Sequence, residues 1–502
     1  MRWLLSLLFA LCCALPASAD DIGAAGRGVV RVVTIAVVDG QVVGFGHGSG
    51  VAVGPHRIVT NAHVMELADR YPDNVVIGIV PSEGDKSYEG TVVAFDSRAD
   101  LALIDFKGTA LPPATFFTGR IDEGQGVVAL GYPGNVDLAT ARSAADYIRP
   151  QTAVRSEGVF SGRRSLTGID VLLHTASIAR GNSGGPLLDA CGRVIGINSA
   201  ITRAEDGDST FGFAIADSQV AAFLREAKQP FAAVTAPCTS IEERLRQDSE
   251  ADARASADAV AASREAQTRA AMTREAALAD ARVDAERMRE NFMGVAGLLL
   301  VLGAMGIGRA GLLVTQGRRR DAIAAGIGGG AVVIVAILIF VLRPDGEVAA
   351  AITPPDAVQP VPAVSPLGAY VCTIQPDRSR ITVSTTPQVD LAWGANGCVD
   401  GKTQFVTRGS RWERTIVPDD EQTASTLSFD PARRLYTDTR YLLSSSAIEA
   451  LRKLRGAAPA KACSIDPSTL AQQEEAIRAA LPPLPNEKLV YSCAPPSDPA
   501  AR

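Results

Sequence analysis

In this 502-residue chain, a serine stands between glycines and a Gly-Gly-Pro step in "RGNSGGPLL", Arg180 to Leu188. A serine hydroxyl is a weak nucleophile unless a neighbouring base takes its proton as it attacks. The chain has only four histidines, His47, His56, His63 and His174. One of them, His63, lies in "RIVTNAHV", and an aspartate, Asp100, precedes the apolar run of "SRADLALIDF". The order His63, Asp100, Ser183 supplies a base, a carboxylate to orient it and a nucleophile, the set needed for acyl transfer through a covalent intermediate. His47 and His56 sit in Gly/Pro text and read as surface or loop residues. His174 reads as a packing residue. The glycines of Gly44–Gly50 read as a tight strand turn and not as a phosphate loop, because no Lys-Ser/Thr pair follows them. No Cys-x-x-Cys occurs, so zinc and thioredoxin-like sites are not expected, and no metal or organic cofactor is implied. A net charge of −6 without a basic stripe gives no footprint for nucleic acid.

The stretches "GSGVAV", "IVTNAHV", "ADLALI", "LGYPGN", "GNSGGPLLD", "GRVIGINSAI" and "FGFAIA" together resemble the trypsin-like serine peptidases, and among them the HtrA/DegP-type bacterial branch. The resemblance runs from Gly28 to Phe223, roughly 40% of the chain. It implies a pair of six-stranded antiparallel barrels with the site in the cleft between them. It also implies catalytic roles for His63, Asp100 and Ser183, and an oxyanion hole made by the N–H groups of Gly181 and Ser183. Asp96 is the weaker acid candidate, because the motif places the acid directly before "LALI". By resemblance, Ser177 lies at the base of the S1 pocket, with Ser199, Ala200, Ile201, Gly212, Phe213 and Ala214 as its walls. None of these is a carboxylate, so cleavage after Lys or Arg is disfavoured and small or medium apolar P1 residues are expected. The chain departs from the HtrA-type pattern at Ala176, where an aspartate is common, and at Arg180, where a proline is common. Both departures concern the geometry of the nucleophile loop and admit a latent state awaiting a trigger. PDZ domains usually follow in that branch, whereas here the text after the protease segment is of another kind.

The elements around this constellation are legible from composition. A basic start, an apolar run and Ala17-Ser18-Ala19 read as a signal peptide over residues 1–19, cut after Ala19. Residues 20–238 then form the protease domain. Its Val/Ile-rich segments alternate with turns such as Asp39-Gly40, a strong hairpin signal. Short strands are expected at Arg57–Thr60, Asn74–Val80, Thr91–Phe95, Leu101–Asp105, Gly126–Gly131, Val171–Thr175 and Arg193–Ser199. Residues 239–291, dense in Ala, Arg and Glu and without Gly or Pro, predict a helical stalk. Segments 292–314 and 322–342 are each long and apolar enough to cross a bilayer. The arginines Arg318, Arg319 and Arg320 lie in the turn 315–321 between them and place that turn in the cytoplasm. A Pro/Ala linker (343–366) leads to a small C-terminal domain (367–502) of α+β character.

The six cysteines outside the signal segment, Cys191, Cys238, Cys372, Cys398, Cys463 and Cys493, suit disulfides in an oxidising compartment. Within the C-terminal domain the local pairs Cys372–Cys398 and Cys463–Cys493 are expected. The fold class is therefore mainly β: a trypsin-like double β-barrel, a long helical stalk, a two-helix transmembrane hairpin and a disulfide-bearing α+β domain. The functional expectation is a serine endopeptidase of the bacterial inner membrane, facing the periplasm and acting on polypeptides. Its role would be envelope quality control or regulated processing. The alternative is a catalytically silent scaffold. The text is compatible with a homo-oligomer.

Overall fold

The computed structural model describes residues 20–166, 168–202, 210–342, 368–383, 386–456, 463 and 467–496. The expected signal peptide and the 343–366 linker lie outside the described residues. A short helix α1 (Asp21–Gly26) leads into β1 (Val29–Val38), β2 (Gln41–Gly54) and β3 (Arg57–Thr60), then α2 (Ala62–Arg70), β4 (Val75–Pro81), β5 (Tyr88–Asp96) and β6 (Leu101–Phe106). The strands close into a six-stranded barrel in the order β1-β2-β3-β6-β5-β4. Asp39 and Gly40 both take positive φ between β1 and β2, as a two-residue type I′ hairpin requires. The glycine-rich text Gly44–Gly50 is no turn: it lies inside the 14-residue β2, paired to β1 as far as Val51. The small residues suit a strand here because a Cβ at Gly48 or Gly50 would press on Val64 or Ile58.

The second barrel is built from β7 (Thr115–Phe117), β8 (Gly126–Gly131), helix α3 (Gly134–Thr140), β9 (Val154–Leu166), β10 (Ile169–His174), β11 (Pro186–Leu188), β12 (Val194–Ile201), β13 (Gly212–Ala216), helix α4 (Asp217–Glu226) and β14 (Ala232–Val234). Strands β11-β8-β9-β10-β13-β12 close on themselves through the β11–β12 pairing. Two further strands, β7 and β14, extend this six-stranded ring beyond β12 in parallel pairings. Val29, Val51 and Leu103 of the first barrel and Leu130, Leu188 and Ile197 of the second share one buried cluster. That common core fixes the two barrels against each other and so fixes the cleft between them.

Helix α5 (Ile241–Thr315) runs through the expected boundary at residue 291 without a break, and α6 (Arg319–Val341) follows after a tight turn. Both are long and apolar enough to cross a membrane. The described residues 248–342 fall in a unit of their own. Within it the two helices approach at glycine: a Cβ on Gly329 would lie 2.8 Å from the backbone nitrogen of Ile307. Close backbone approach at small residues is how helices associate where lipid removes the hydrophobic drive.

The C-terminal domain holds a nine-stranded antiparallel sheet. In chain order its strands are β15 (Gly368–Ile374), β16 (Gln388–Trp393), β17 (Cys398–Val399), β18 (Thr403–Gln404), β19 (Val406–Arg408), β20 (Arg411–Ile416), β21 (Thr423–Asp430), β22 (Leu435–Leu442) and β23 (Glu487–Ala494), with helices α7 (Ser445–Arg455) and α8 (Pro467–Ala480) between the last two. The local disulfide pairing is overturned. The bridges are Cys372–Cys493 and Cys398–Cys463, with Cys191–Cys238 in the protease segment. The reason is topological: the last strand β23 inserts between β15 and β22, and Cys372 stands directly opposite Cys493 in the ladder. Sequence spacing carries no trace of that insertion.

This domain packs on the protease domain within one compact unit. Buried Asp21 of α1 pairs with Arg380 and accepts from Asn486 Nδ2 at 3.1 Å. Glu83 accepts from the Ser445 hydroxyl at 2.6 Å, and Ala24 packs with Val383 and Leu442.

Candidate functional site

The first barrel positions the base and the acid. His63 lies in the first turn of α2, behind Asn61 at the helix N-cap position. Asp100 sits at the entry to β6 with φ +52, a left-handed conformation that aspartate tolerates better than most residues. Asp96 Oδ1 accepts from the backbone N–H groups of Arg98 and Ala99 at 2.9 and 3.0 Å, so Asp96 shapes the turn that presents Asp100. The fully buried Asn61 donates its amide to the Asp100 carbonyl oxygen at 2.9 Å. The Asp100 carboxylate then meets His63 three times. Nδ1 is 2.9 Å from Oδ1 and 3.0 Å from Oδ2, and the His63 backbone N–H donates to Oδ1 at 3.0 Å. A proton on Nδ1 facing the carboxylate leaves Nε2 as a bare acceptor, and the ring, with nearly half its surface exposed, opens to the cleft.

The second barrel positions the nucleophile. Ser183 Oγ donates to the Ser199 carbonyl oxygen at 3.0 Å, while the Ser199 hydroxyl donates to Asp100 Oδ2 at 2.6 Å. Ser199, expected only as a pocket wall, therefore touches both the acid and the nucleophile. Burial pushes the Asp100 carboxyl upward, but the hydrogen bonds and charge of His63 and the Ser199 hydroxyl outweigh it. The net effect holds Asp100 below the usual carboxylate range.

The nucleophile loop is pinned at three carbonyls. Arg180 O accepts from Gly134 N–H at 2.7 Å, Gly181 O from the Ser49 hydroxyl at 2.7 Å, and Ser183 O from Ser49 N–H at 2.8 Å. Gly181 has φ +98, and a Cβ there would lie 2.3 Å from the Tyr132 carbonyl oxygen, so only glycine fits. Among the described residues no protein acceptor meets the N–H groups of Gly181 and Ser183. Two free donors on one tight loop suit a developing oxyanion.

The remaining candidates fall as follows. Ala200 pairs with Phe213 and Ile201 with Gly212 across β12 and β13, and all but Gly212 keep some surface. Ser177 is exposed ahead of the loop. Ala214 is fully buried in the core of the second barrel and offers no surface to a ligand. His174 is also fully buried, against Gly212, and burial pushes its imidazole down to about 4, which keeps it neutral. His56 is an exposed turn residue whose ring packs on Phe106. His47 is not a surface residue: its mostly buried ring faces the Tyr132 carbonyl oxygen and Asp137, each at 3.1 Å. The sequence reading missed Ser49, Asn61 and the hydroxyl of Ser199. "GSG" and "TNAH" held the first two, but nothing in their spacing said which loop each would fasten. Among the described residues, no cluster of His, Cys, Asp and Glu is arranged to hold a metal ion.

Residues 48–197 match the family model of the trypsin-like peptidase domain. Serine protease Rv3671c of Mycobacterium tuberculosis is 34% identical over 197 residues, 38% of this chain and 45% of that protein. A probable periplasmic serine endoprotease, DegP-like, of Chlamydia pneumoniae is 33% identical over 216 residues, 39% of this chain and 40% of that protein. The magnetosome formation protease MamE of Magnetospirillum gryphiswaldense is 30% identical over 185 residues, 35% of this chain and 22% of that protein. The crystal structure of the active form of the Rv3671c protease is 26% identical, covers 45% of this chain and 94% of that one, and aligns with a TM-score of 0.33. The chain spans less than half the length of the curated relatives it matches. It carries a trypsin-like serine peptidase domain, and its relatives are named as serine proteases.

Proposed function

We propose that the chain is a membrane-anchored serine endopeptidase that hydrolyses polypeptides through an acyl-enzyme. The observation that carries this reading is the meeting of the two barrels at Ser199, which bonds both Asp100, held against His63, and Ser183, whose loop leaves two N–H groups unengaged among the described residues. In this reading His63 Nε2 takes the Ser183 proton as Oγ attacks the scissile carbonyl. Asp100 holds the ring tautomer and stabilises the imidazolium, and Gly181 and Ser183 receive the oxyanion. His63 then gives its proton to the leaving amine, and water repeats the sequence on the ester. Before attack, Ser183 Oγ must turn from the Ser199 carbonyl toward His63. Rotamer changes occur in picoseconds to nanoseconds where the side chain is free to turn, and the exchanged hydrogen bond is worth about 0.5–1.5 kcal/mol net. That resting bond is the one observation favouring the silent-scaffold alternative, and its small size is why the enzymatic reading is preferred.

The same proposal extends to the surroundings. Segments 292–314 and 322–342 cross the inner membrane as a hairpin whose arginine turn, 315–321, stays in the cytoplasm. Arg309 reaches toward that turn. The 239–291 stalk and the 367–502 domain then share the periplasmic side with the protease. Three bridges that close in the described residues support an oxidising compartment. Ser177, Ser199, Ala200, Ile201, Gly212 and Phe213 border an S1 pocket without a carboxylate, so small or medium apolar P1 residues are preferred. Envelope quality control or regulated processing is the role that fits. The test is digestion of unfolded casein by the detergent-solubilised full chain, with cleavage sites mapped by mass spectrometry. Cuts after Ala, Val or Leu that vanish in Ser183→Ala are expected. Cuts after Lys or Arg, or cuts that persist in the variant, contradict the assignment.

A further inference from the structure

A buried ionic cluster lies directly behind the nucleophile loop and takes no part in the chemistry described so far. Arg31 of β1 is 1% exposed, and its Nη2 donates to Asp137 Oδ1 at 2.6 Å. Its Nη1 donates to the Tyr147 carbonyl at 3.1 Å, and its guanidinium carbon lies 4.7 Å over the Tyr132 ring. The second oxygen of Asp137, Oδ2, lies 3.1 Å from His47 Nε2, which also faces the Tyr132 carbonyl oxygen. Asp137 belongs to α3, a helix of seven residues, too short to hold its place by its own hydrogen bonds. The first residue of α3 is Gly134, whose N–H holds the Arg180 carbonyl.

We infer that Asp137 is a positioning residue for the oxyanion hole. This rests on the serine-peptidase reading above. Asp137 fastens α3 to Arg31, with the His47 ring packed beside it, and α3 in turn fixes the Gly134 N–H. A trans peptide points its C=O and N–H in opposite directions. While Gly134 holds the Arg180 carbonyl, the Gly181 N–H of the same peptide is turned the other way, where no protein acceptor meets it. On the far side of Gly181 the Ser49 hydroxyl holds the Gly181 carbonyl. The peptides on both sides of Gly181 are therefore held. His47 closes the remaining space, since a Cβ on Gly181 would lie 2.8 Å from its Nε2. Releasing Asp137 frees Gly134, and the Arg180–Gly181 peptide can then rotate its donor out of the site.

The experiment measures kcat per titrated active site and KM on a peptide amide with an apolar P1 residue, using the full chain in detergent. Affinities for a peptide boronate, which forms a tetrahedral adduct, and for the matching product peptide are measured alongside. Asp137→Asn is expected to lower kcat per site and boronate affinity by tenfold or more. KM and product affinity should stay within about twofold. Asp137→Asn leaves Arg31 buried without its counter-charge, so Arg31→Met combined with Asp137→Asn is the version suited to folding. Gly134→Pro deletes the last link at a helix position that accepts proline, and its ring also crowds the Arg180 carbonyl oxygen. It should cost about 10²–10³ in kcat, the loss typical of one oxyanion donor. A merely structural role would move the melting temperature and the titre of active sites but not kcat per site. If the Asp137 variants keep kcat per site within about twofold, the inference is overturned while the parent reading stands. A wild type that neither turns over nor binds the boronate overturns both.

Discussion

Asp100 in the protease domain and Asp438 in the C-terminal domain are both aspartates beside a β-sheet, and their surroundings push them in opposite directions. Asp100 is ringed by donors from His63 and Ser199, and it is held below the usual carboxylate range. Asp438 lies on β22 between β21 and β23 with its side chain mostly buried, and burial pushes it up to about 6 despite Arg440 nearby. Glu474, beside Arg414, is likewise raised, first by burial. The C-terminal domain contains no histidine, and its four cysteines are bridged. The difference teaches that a charged cluster is poised for chemistry when its carboxylate is ringed by donors and backed by a proton acceptor. The C-terminal cluster holds a fold together, and the protease cluster holds a ring and a hydroxyl ready.

This contrast can be broken by measurement. The largest expected effect is in the protease domain: Ser183→Ala and His63→Ala should each lower kcat by about 10⁴-fold or more, whereas Glu474→Gln should change it less than about threefold. Asp100→Asn should cost about 10⁴ in kcat through loss of the correct tautomer, with the melting temperature little changed. Next comes the buried staple of the C-terminal sheet. Replacing Cys372 and Cys493 together by alanine should lower that domain's stability by about 2–5 kcal/mol in calorimetry. Non-reducing peptide mapping should recover Cys372 joined to Cys493 and Cys398 joined to Cys463; recovery of the local pairs would sink the topology.

Asp438 sharpens the contrast through pH. Its folded pKa of about 6 stands above the ordinary aspartate value of 3.8, so the folded state favours the protonated form. The associated stability is fully present below about pH 4 and is lost as pH rises through 6, a swing of about 3 kcal/mol. Asp438→Asn should therefore match wild type near pH 4 and exceed it near pH 7 in thermal melts. A difference independent of pH contradicts the assignment. The smallest effect is at the surface, where the pair Arg120–Asp122 is almost fully solvated. Arg120→Ala should shift stability by no more than about 0.5 kcal/mol.

What could be read from sequence followed the range of the interactions. The β1–β2 hairpin was legible because Asp39-Gly40 is a local signal with a local outcome. His63, Asp100 and Ser183 each sit in a short motif that singles them out, whereas the distances among them depend on two barrels sharing a core. The Cys372–Cys493 bridge was not legible, because it depends on a last strand entering the middle of a sheet 121 residues away. The roles of His47 and Asp137 were hidden for the same reason: Arg31, His47 and Asp137 lie on three separate elements, and only the fold makes them neighbours. Ser199 was assigned to the pocket from its position, and the direction of its hydroxyl required the structure.

The most direct test of the central claim is labelling of the detergent-solubilised full chain by a fluorophosphonate, beside Ser183→Ala and His63→Ala. The account predicts stoichiometric labelling of wild type on Ser183 and none in either variant, because the reagent needs an activated hydroxyl and a formed oxyanion hole. A folded wild type that stays unlabelled, or a label found on another residue, would contradict it.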